Sequence, residues 1–237
     1  MAALHLRTCQ WGGIARLLTA QRMDQEIFFL INHSWSRPWL DAVMACASSW
    51  DFWWPFLVLG GGLILIKGGF RGWVMLLVVG ITIGVVDGLV VRSLKDAVGR
   101  PRPYQVLEGV RMLDLARVRP RVLALWQPLK SEYSDPGILI PHGKSFPSGH
   151  SANNFALATV VFLFYRRWGW LLYVSATIVA YSRIYVGSHW PLDVVCSAAL
   201  GAGLALLIVA GFAAAWERFG GRILPRFYAT YPVLLKP

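Results

Sequence analysis

Three short segments of the chain carry residue types that, brought together, suit chemistry on a phosphate. The first is KDAVGRPRP at 95–103, with Lys95 and Arg102. A lysine ammonium is a compact charge and an arginine guanidinium a planar fork, and both suit phosphate oxygens. The same two cations could also serve as a patch snorkelling to a membrane surface. The second segment is SFPSGH at 145–150, ahead of an apolar stretch. Pro147, Ser148 and Gly149 before a helix offer free backbone N–H groups, a hydroxyl and the positive end of a helix dipole, which together make an anion site. His150 stands beside it, and a histidine can act as a general acid near neutral pH. The plainer reading is a serine N-cap. The third segment is SRIYVGSHWPLD at 182–193, where Pro191 suits the first turn of a helix. His189 and Asp193 are four residues apart. A carboxylate at that reach can hold one ring nitrogen as N–H and leave the other as a lone pair, as in nucleophilic triads. Arg183 adds a further fork for oxygens; the alternative is a charge pair capping a helix. Phosphoryl transfer needs this combined inventory: positive charge on three equatorial oxygens, a nucleophile, and an in-line acid for the leaving group.

The elements that must position these residues are apolar helices. The chain has 237 residues, with 23 Lys and Arg against 12 Asp and Glu, a formal net charge of +11. Only 15% of residues are charged and 56% are hydrophobic, and the mean hydropathy is +0.51. Such a composition excludes a disordered chain and leaves too few polar residues to cover a soluble core. The expected fold is all-α: a polytopic membrane helical bundle of about six transmembrane helices forming a single membrane-embedded domain over 1–237. Apolar runs lie at 52–66, 72–94, 152–165, 168–180 and 192–216, with shorter ones at 27–31 and 40–47. The run at 72–94 is long enough to cross a hydrocarbon core of about 30 Å at about 1.5 Å per residue. Most of the 12 tryptophans fall at the ends of these runs, where indole rings prefer the headgroup zone. Residues 104–146 are polar and rich in Pro and Arg, and read as a loop. Residues 1–22 read as an interfacial segment with no signal-peptide apolar core, and 217–237 as a basic tail.

Basic residues of the short connections set the orientation. Lys67 and Arg71, Arg166 and Arg167, and both tails fall on one side if the helix count is even, and that side is cytoplasmic by the positive-inside rule. The 104–146 loop, the 182–190 segment and all three clusters then face outward. The basic balance does not indicate nucleic acid, because the charges sit between apolar runs rather than on a solvated face. Cys9, Cys46 and Cys196 are odd in number and widely spaced, so no disulfide framework or zinc site is expected.

The three clusters closely resemble the signature K-x6-RP, PSGH and SR-x5-H-x3-D of the type 2 phosphatidic acid phosphatase family, the membrane lipid phosphatase branch of the superfamily that includes vanadium haloperoxidases. Lys95 to Arg102 has the six intervening residues, Pro147 to His150 is literal, and Ser182, Arg183, His189 and Asp193 keep the full spacing. The resemblance covers the stretch from Lys95 to Asp193. It implies that His189 attacks phosphorus to form a phosphohistidine, with Asp193 orienting it. His150 would protonate the leaving oxygen and then activate water. Lys95, Arg102, Ser148, the Gly149 N–H and Arg183 would hold the phosphate. No metal and no cofactor is implied, since fixed cations take the metal's place. The implied partner is a lipid phosphate or diphosphate in the membrane, such as undecaprenyl diphosphate, phosphatidylglycerol phosphate, phosphatidic acid or a lipid A phosphate. The implied location is a bacterial inner membrane, with the site facing the periplasm or exterior. Competing readings are a phosphotransferase passing the group to a lipid or sugar acceptor, a vanadate-dependent haloperoxidase, and a non-catalytic membrane scaffold or transporter.

Other residues carry less defined expectations. Asp87 lies inside an apolar run, as a helix–helix pair or a contact to a catalytic arginine. Arg100 is a solvated charge or touches substrate. His142 and Lys144 could line the entrance. Arg111, Arg117, Arg119, Arg121 and Lys130 form a solvated face or bind anionic headgroups.

Overall fold

The computed structural model of the protein describes residues 19–116, 118, 123–124, 127–136 and 143–235. Arg117, Arg119, Arg121, His142, Cys9 and the first 18 residues of the expected interfacial segment lie outside these. Helix α1 covers residues 19–29 and runs into a π-helical turn at Leu30–Ser34. Helices α2 (Pro38–Ser48) and α3 (Trp50–Lys67) follow, bent by 57° at Ser49. Helix α4 (Gly69–Ile83), a π-helical stretch (Gly84–Val91) and α5 (Arg92–Val98) form one continuous helix of 30 residues. After a single turn, α6 (Pro103–Val106), come strands β1 (Arg111–Asp114) and β2 (Lys130–Tyr133). The chain then forms α7 (Gly149–Phe164), α8 (Arg166–Tyr185), α9 (Pro191–Ile223) and α10 (Pro225–Thr230).

The protein is helical, but not wholly so. The 104–146 segment, expected to be a loop, carries an antiparallel pair in which Arg111 faces Tyr133 and Asp114 faces Lys130. Two helices among the described residues are long and apolar enough to cross a membrane, Gly69–Val98 and Pro191–Ile223. The bent α2–α3 pair makes a third if it counts as one span. The runs at 152–165 and 168–180 form α7 and α8 but fail that measure. At 16 residues α7 reaches only about 24 Å, and α8 carries Arg166, Arg167 and Arg183.

Helix α7 lies at the centre, between α8, α9 and the α4 helix. Glycine permits two close approaches to this central helix. A Cβ at Gly201 of α9 would lie 2.0 Å from the Ala152 carbonyl oxygen of α7, and one at Gly169 of α8 would lie 2.4 Å from Phe162 Cα. One apolar core joins Val74, Val78 and Val86 to Ala152, Val160, Phe164, Ala205 and Val209. A second joins Phe28 and Ile31 of the first helix to Met44, Val110, Ile184, Tyr185 and Trp190. Helix α3 buries none of its residues. Its Leu57, Val58, Leu59, Leu65 and Ile66 are exposed, the pattern of a helix whose solvent is lipid.

The expected basic tail at 217–237 departs from a simple tail. Helix α9 continues to Ile223, and α10 folds back so that Phe227 stacks on Phe70 at 4.4 Å and Leu234 is buried. Trp216 Nε1–H donates to the Tyr231 carbonyl at 2.8 Å. This end also gathers the start of α4 and the end of α7, where Arg71 donates to the Phe164 carbonyl and lies over the Tyr165 ring. The opposite end gathers the end of α5 and α8 and the first turns of α7 and α9, and there the three clusters converge.

Candidate active site

His189 sits between α8 and α9 and is 2% exposed. The turn that places it is built on its own neighbours: the Ser188 and His189 N–H groups both donate to the Arg183 carbonyl, at 3.0 and 3.1 Å. Gly187 makes the turn possible. Its φ is +78°, and a Cβ there would lie 2.8 Å from the Arg111 carbonyl oxygen of β1. The His189 Nδ1 lies 2.7 Å from the Ser145 carbonyl oxygen. A carbonyl only accepts, so Nδ1 carries the proton and Nε2 keeps its lone pair. Burial, then the charges of Arg183 and Arg102, hold the imidazole pKa well below the ordinary histidine value. The ring is therefore neutral at physiological pH, the form a nucleophile requires.

Asp193 occupies the first turn of α9 and is 1% exposed. The spacing of four residues suggests a direct carboxylate–imidazole bond, but the structure inserts Ser145. Its Oγ–H donates to Asp193 Oδ2 at 2.5 Å and lies 3.4 Å from His189 Nδ1. The other oxygen, Oδ1, accepts from Arg100 Nη1 at 2.5 Å. Asp193 is thus joined to His189 through Ser145, and the direct acceptor for the ring is backbone.

The serine–glycine segment opens α7 as its sequence suggests. Ser148 is the N-cap and accepts from Ser151 N–H at 3.5 Å. Gly149 is the first helical residue, so its N–H belongs to the turn that has no intrahelical acceptor. This helix start is pinned to α9 by small polar residues. Ser148 N–H donates to Ser197 Oγ at 2.8 Å, Ser197 Oγ–H to the Asp193 carbonyl at 2.5 Å, and Ser151 Oγ–H to the Val194 carbonyl at 2.8 Å. His150 follows, its ring close enough to Arg183, Lys95 and Arg102 to feel all three charges.

Lys95 lies in the last turn of α5, which Gly99 ends with a φ of +63° and an N–H bond to the Lys95 carbonyl at 3.0 Å. Arg102 follows that turn. Lys95, Arg102 and Arg183 lie within electrostatic reach of one another. Arg183 Nη1 donates to the carbonyl and hydroxyl of Ser48 at the α2–α3 bend. The Nε–H groups of Arg102 and Arg183 are buried and find no acceptor among the described residues. Three clustered cations with unused donors oppose one another unless an anion joins them. A cleft of about 470 Å³ lies beside Arg102 and Arg183, lined also by Ser48, Tyr104, Asp114 and Ser188. Oxyanion binding is what this arrangement offers.

All eight sequence-derived site residues converge: Lys95, Arg102, Ser148, Gly149, His150, Arg183, His189 and Asp193. The secondary expectations come out one by one, some corrected and some met. Arg100 is part-exposed but not free for substrate, because it bridges Asp193 and Asp24. Arg111 is buried and paired with Asp41 at 2.7 Å, which anchors the hairpin to α2. Lys130 pairs with Glu132 on the surface, and Lys144 pairs with Asp96. Asp87 accepts from Asn153 Nδ2 at 3.1 Å, a helix–helix contact between the π-helical stretch and α7. The sequence reading passed over Asp24, Ser48 and the bridging role of Ser145. Asp24 gave one signal, an acid ahead of the apolar run 27–31. Ser145 and Ser48 gave none.

The chain is similar to known proteins. An undecaprenyl-diphosphatase from Sulfolobus acidocaldarius is 35% identical over 108 residues, which are 44% of this chain and 52% of that protein. The chain thus spans about half the length of the relative it matches. The crystal structure of Aquifex aeolicus LpxE superposes with a TM-score of 0.55 at 26% identity, covering 78% of this chain and 94% of that one. The transmembrane PAP2 type phosphatidylglycerolphosphate phosphatase from Bacillus subtilis gives 0.53 at 25% identity, covering 85% and 89%. The likeness to a transmembrane protein agrees with the apolar, exposed helices around a polar end. Residues 71–217, the stretch from the start of α4 to the end of the α9 core that brings Lys95, His150 and His189 together, match the PAP2 superfamily model, and the chain belongs to that superfamily.

Proposed function

We propose that this chain is an integral-membrane lipid phosphatase that works without a metal ion, through a phosphohistidine on His189. The observation that carries the reading is the Ser145 carbonyl on His189 Nδ1, which leaves Nε2 as a lone pair beside Arg183 and Arg102. Nε2 attacks phosphorus, the bond to the lipid oxygen breaks, and His150, which takes up a proton once the negative phosphate sits among the three cations, gives that oxygen its proton. Lys95, Arg102, Arg183, the Ser148 hydroxyl and the Gly149 N–H hold the equatorial oxygens as charge spreads over them. His150, now neutral, takes a proton from water. The water oxygen attacks phosphorus, the P–N bond breaks, and inorganic phosphate leaves. Fixed cations supply the positive charge that a metal would otherwise bring.

The names of relatives support a lipid phosphate or diphosphate as substrate, with undecaprenyl diphosphate and phosphatidylglycerol phosphate as the first candidates. The site end opens outward in this reading, with five helices rather than the expected six crossing the membrane, namely α3, the α4–α5 helix, α7, α8 and α9, while α1 and α2 stay at the site end, where Asp24 meets Arg100, Asn32 meets the Tyr185 carbonyl and Ser48 meets Arg183. Lys67, Arg71, Arg166 and Arg167 then lie on the cytoplasmic side, and the active site faces the periplasm or exterior. The lipid tail stays among the apolar helices while its phosphate meets the basic cluster.

The test is phosphate release from a panel of lipid mono- and diphosphates by detergent-purified protein, with EDTA present and His189→Ala alongside. Release that survives EDTA and is lost in the variant is expected. Release abolished by EDTA contradicts the metal-free reading. Folded protein that releases no phosphate but labels an added lipid or sugar acceptor would assign a phosphotransferase instead.

A further inference from the structure

Arg100 is the hub of a closed ring of bonds. Its carbonyl accepts from Ser145 N–H at 2.7 Å. The Ser145 carbonyl accepts from His189 Nδ1–H, and its hydroxyl donates to Asp193 Oδ2. Asp193 Oδ1 returns to Arg100 Nη1 at 2.5 Å. Arg100 Nη2 then reaches out of the ring to Asp24 Oδ2 at 2.6 Å. Asp24 is 2% exposed, and its other oxygen accepts from the Leu192 N–H at 2.8 Å, in the first turn of the helix that carries Asp193. The guanidinium also lies 5.0 Å from the centroid of Trp190, whose Nε1–H donates to the Pro101 carbonyl at 2.9 Å. One arginine therefore fixes the histidine's acceptor through its backbone and the carboxylate through its side chain.

Charge bookkeeping gives Asp24 its part. Arg100 and Asp193 alone form a neutral pair, which offers little to an imidazolium or a phosphohistidine forming on His189. With Asp24 the group has two buried carboxylates and one part-exposed guanidinium, a net charge of −1 beside the reacting ring. In a poorly solvated site such a charge acts strongly. Asp24 belongs to α1, outside residues 71–217.

We infer that Arg100 and Asp24 are positioning residues for His189: Arg100 holds Ser145 and Asp193 in place, and Asp24 restores the negative charge that Arg100 cancels. The inference rests on the phosphohistidine reading above and assigns α1 a role in turnover.

Steady-state kinetics of Asp24→Asn, Arg100→Gln and the double variant test it, with inhibition by vanadate as a measure of phosphate-site binding. Asp24→Asn keeps an oxygen for the Leu192 N–H and removes one charge. It is expected to lower kcat about tenfold or more at unchanged KM and unchanged vanadate inhibition. Adding Arg100→Gln to Asp24→Asn returns the buried group to −1, so the double variant is expected to be more active than the product of the two single effects. Should Arg100→Gln not fold, Arg100→Lys keeps the charge with a single prong and is expected to lower kcat at unchanged KM. Wild-type kcat in Asp24→Asn, a loss carried by KM alone, or strictly multiplicative effects in the double variant would overturn the inference. An active wild type with any of those results refutes this inference alone. An inert wild type on every lipid phosphate refutes the phosphatase reading and this inference with it.

Discussion

The Ser145 carbonyl oxygen lies 2.7 Å from Nδ1 of His189, and the hydroxyl of the same serine lies 2.5 Å from Asp193. One residue therefore sets the tautomer of the imidazole and links it to the carboxylate. The backbone contact persists whatever side chain stands at 145, while the link to Asp193 depends on the hydroxyl.

Ser145→Ala separates these two parts. The ring keeps its acceptor, so the protein folds and binds substrate, but Asp193 loses a charge-assisted donor worth about 1.5–3 kcal/mol. The expected result is a fall in kcat of about tenfold with KM unchanged, measured with the best substrate of the panel. A kcat equal to wild type would show that Asp193 acts by another route.

The acid side of the titration tests the electrostatics. Burial, followed by Arg183 and Arg102, lowers the His189 pKa. The neutral ring persists in the folded protein as pH falls through about 6.5, while the unfolded chain takes up its proton there. The unfolded state then binds more protons, so this group's share of stability is full above about pH 6.5 and declines as pH falls toward the lowered folded value. NMR of the His189 ring in detergent is expected to show no titration between about pH 6 and 8, and Arg102→Gln is expected to move the midpoint upward. A wild-type midpoint near about 6.5 would contradict the buried, cation-flanked environment.

The seam between α7 and α9 carries both the anion site and Asp193. At Gly201 a Cβ would lie 2.0 Å from the Ala152 carbonyl oxygen, so Gly201→Ala must push the helices apart. That shift strains the Ser148–Ser197 and Ser151–Val194 bonds as well. A loss of about 1–3 kcal/mol is expected from the overpacking, read as a lower melting temperature together with reduced activity. A variant with wild-type melting temperature and activity would show that the seam has slack.

Much of the site was legible in sequence because phosphate chemistry restricts residue type and spacing. Lys95, Arg102, Ser148, His150, Arg183, His189 and Asp193 fall in three short motifs, and each motif reports a local structure: a helix end, an N-cap, a turn into a helix. The partners of those residues were not legible. Asp24 meets Arg100 across 76 positions of chain, and Arg183 meets Ser48 across 135. Pairings of that range are set by how helices pack and leave no local spacing to read. The helical class followed from hydropathy. The hairpin at Arg111–Asp114 and Lys130–Tyr133 did not, because its four-residue strands carry too little alternation. Its anchor, the Arg111–Asp41 pair, lies in a segment where charge alone suggested a solvated surface.

The far end of the bundle tests whether stability and chemistry are separable. Phe227 stacks on Phe70 and the Tyr231 carbonyl accepts from Trp216, while the three clusters sit at the opposite end of α9. Removing residues 225–237 is expected to lower the melting temperature in detergent by about 5 °C or more and to leave kcat within about twofold. An unchanged melting temperature would show that α10 contributes nothing to the fold.

The central claim is that phosphorus is bonded to His189 during turnover. The direct measurement is to mix wild type and His150→Ala with a lipid phosphate carrying labelled phosphorus, quench in alkali to preserve a phosphohistidine, and locate the label by mass spectrometry of peptides. Label on His189 is predicted, with more of it in His150→Ala because loss of the base slows hydrolysis of the intermediate. Label on a different residue, or turnover with no label on the protein, would contradict the account.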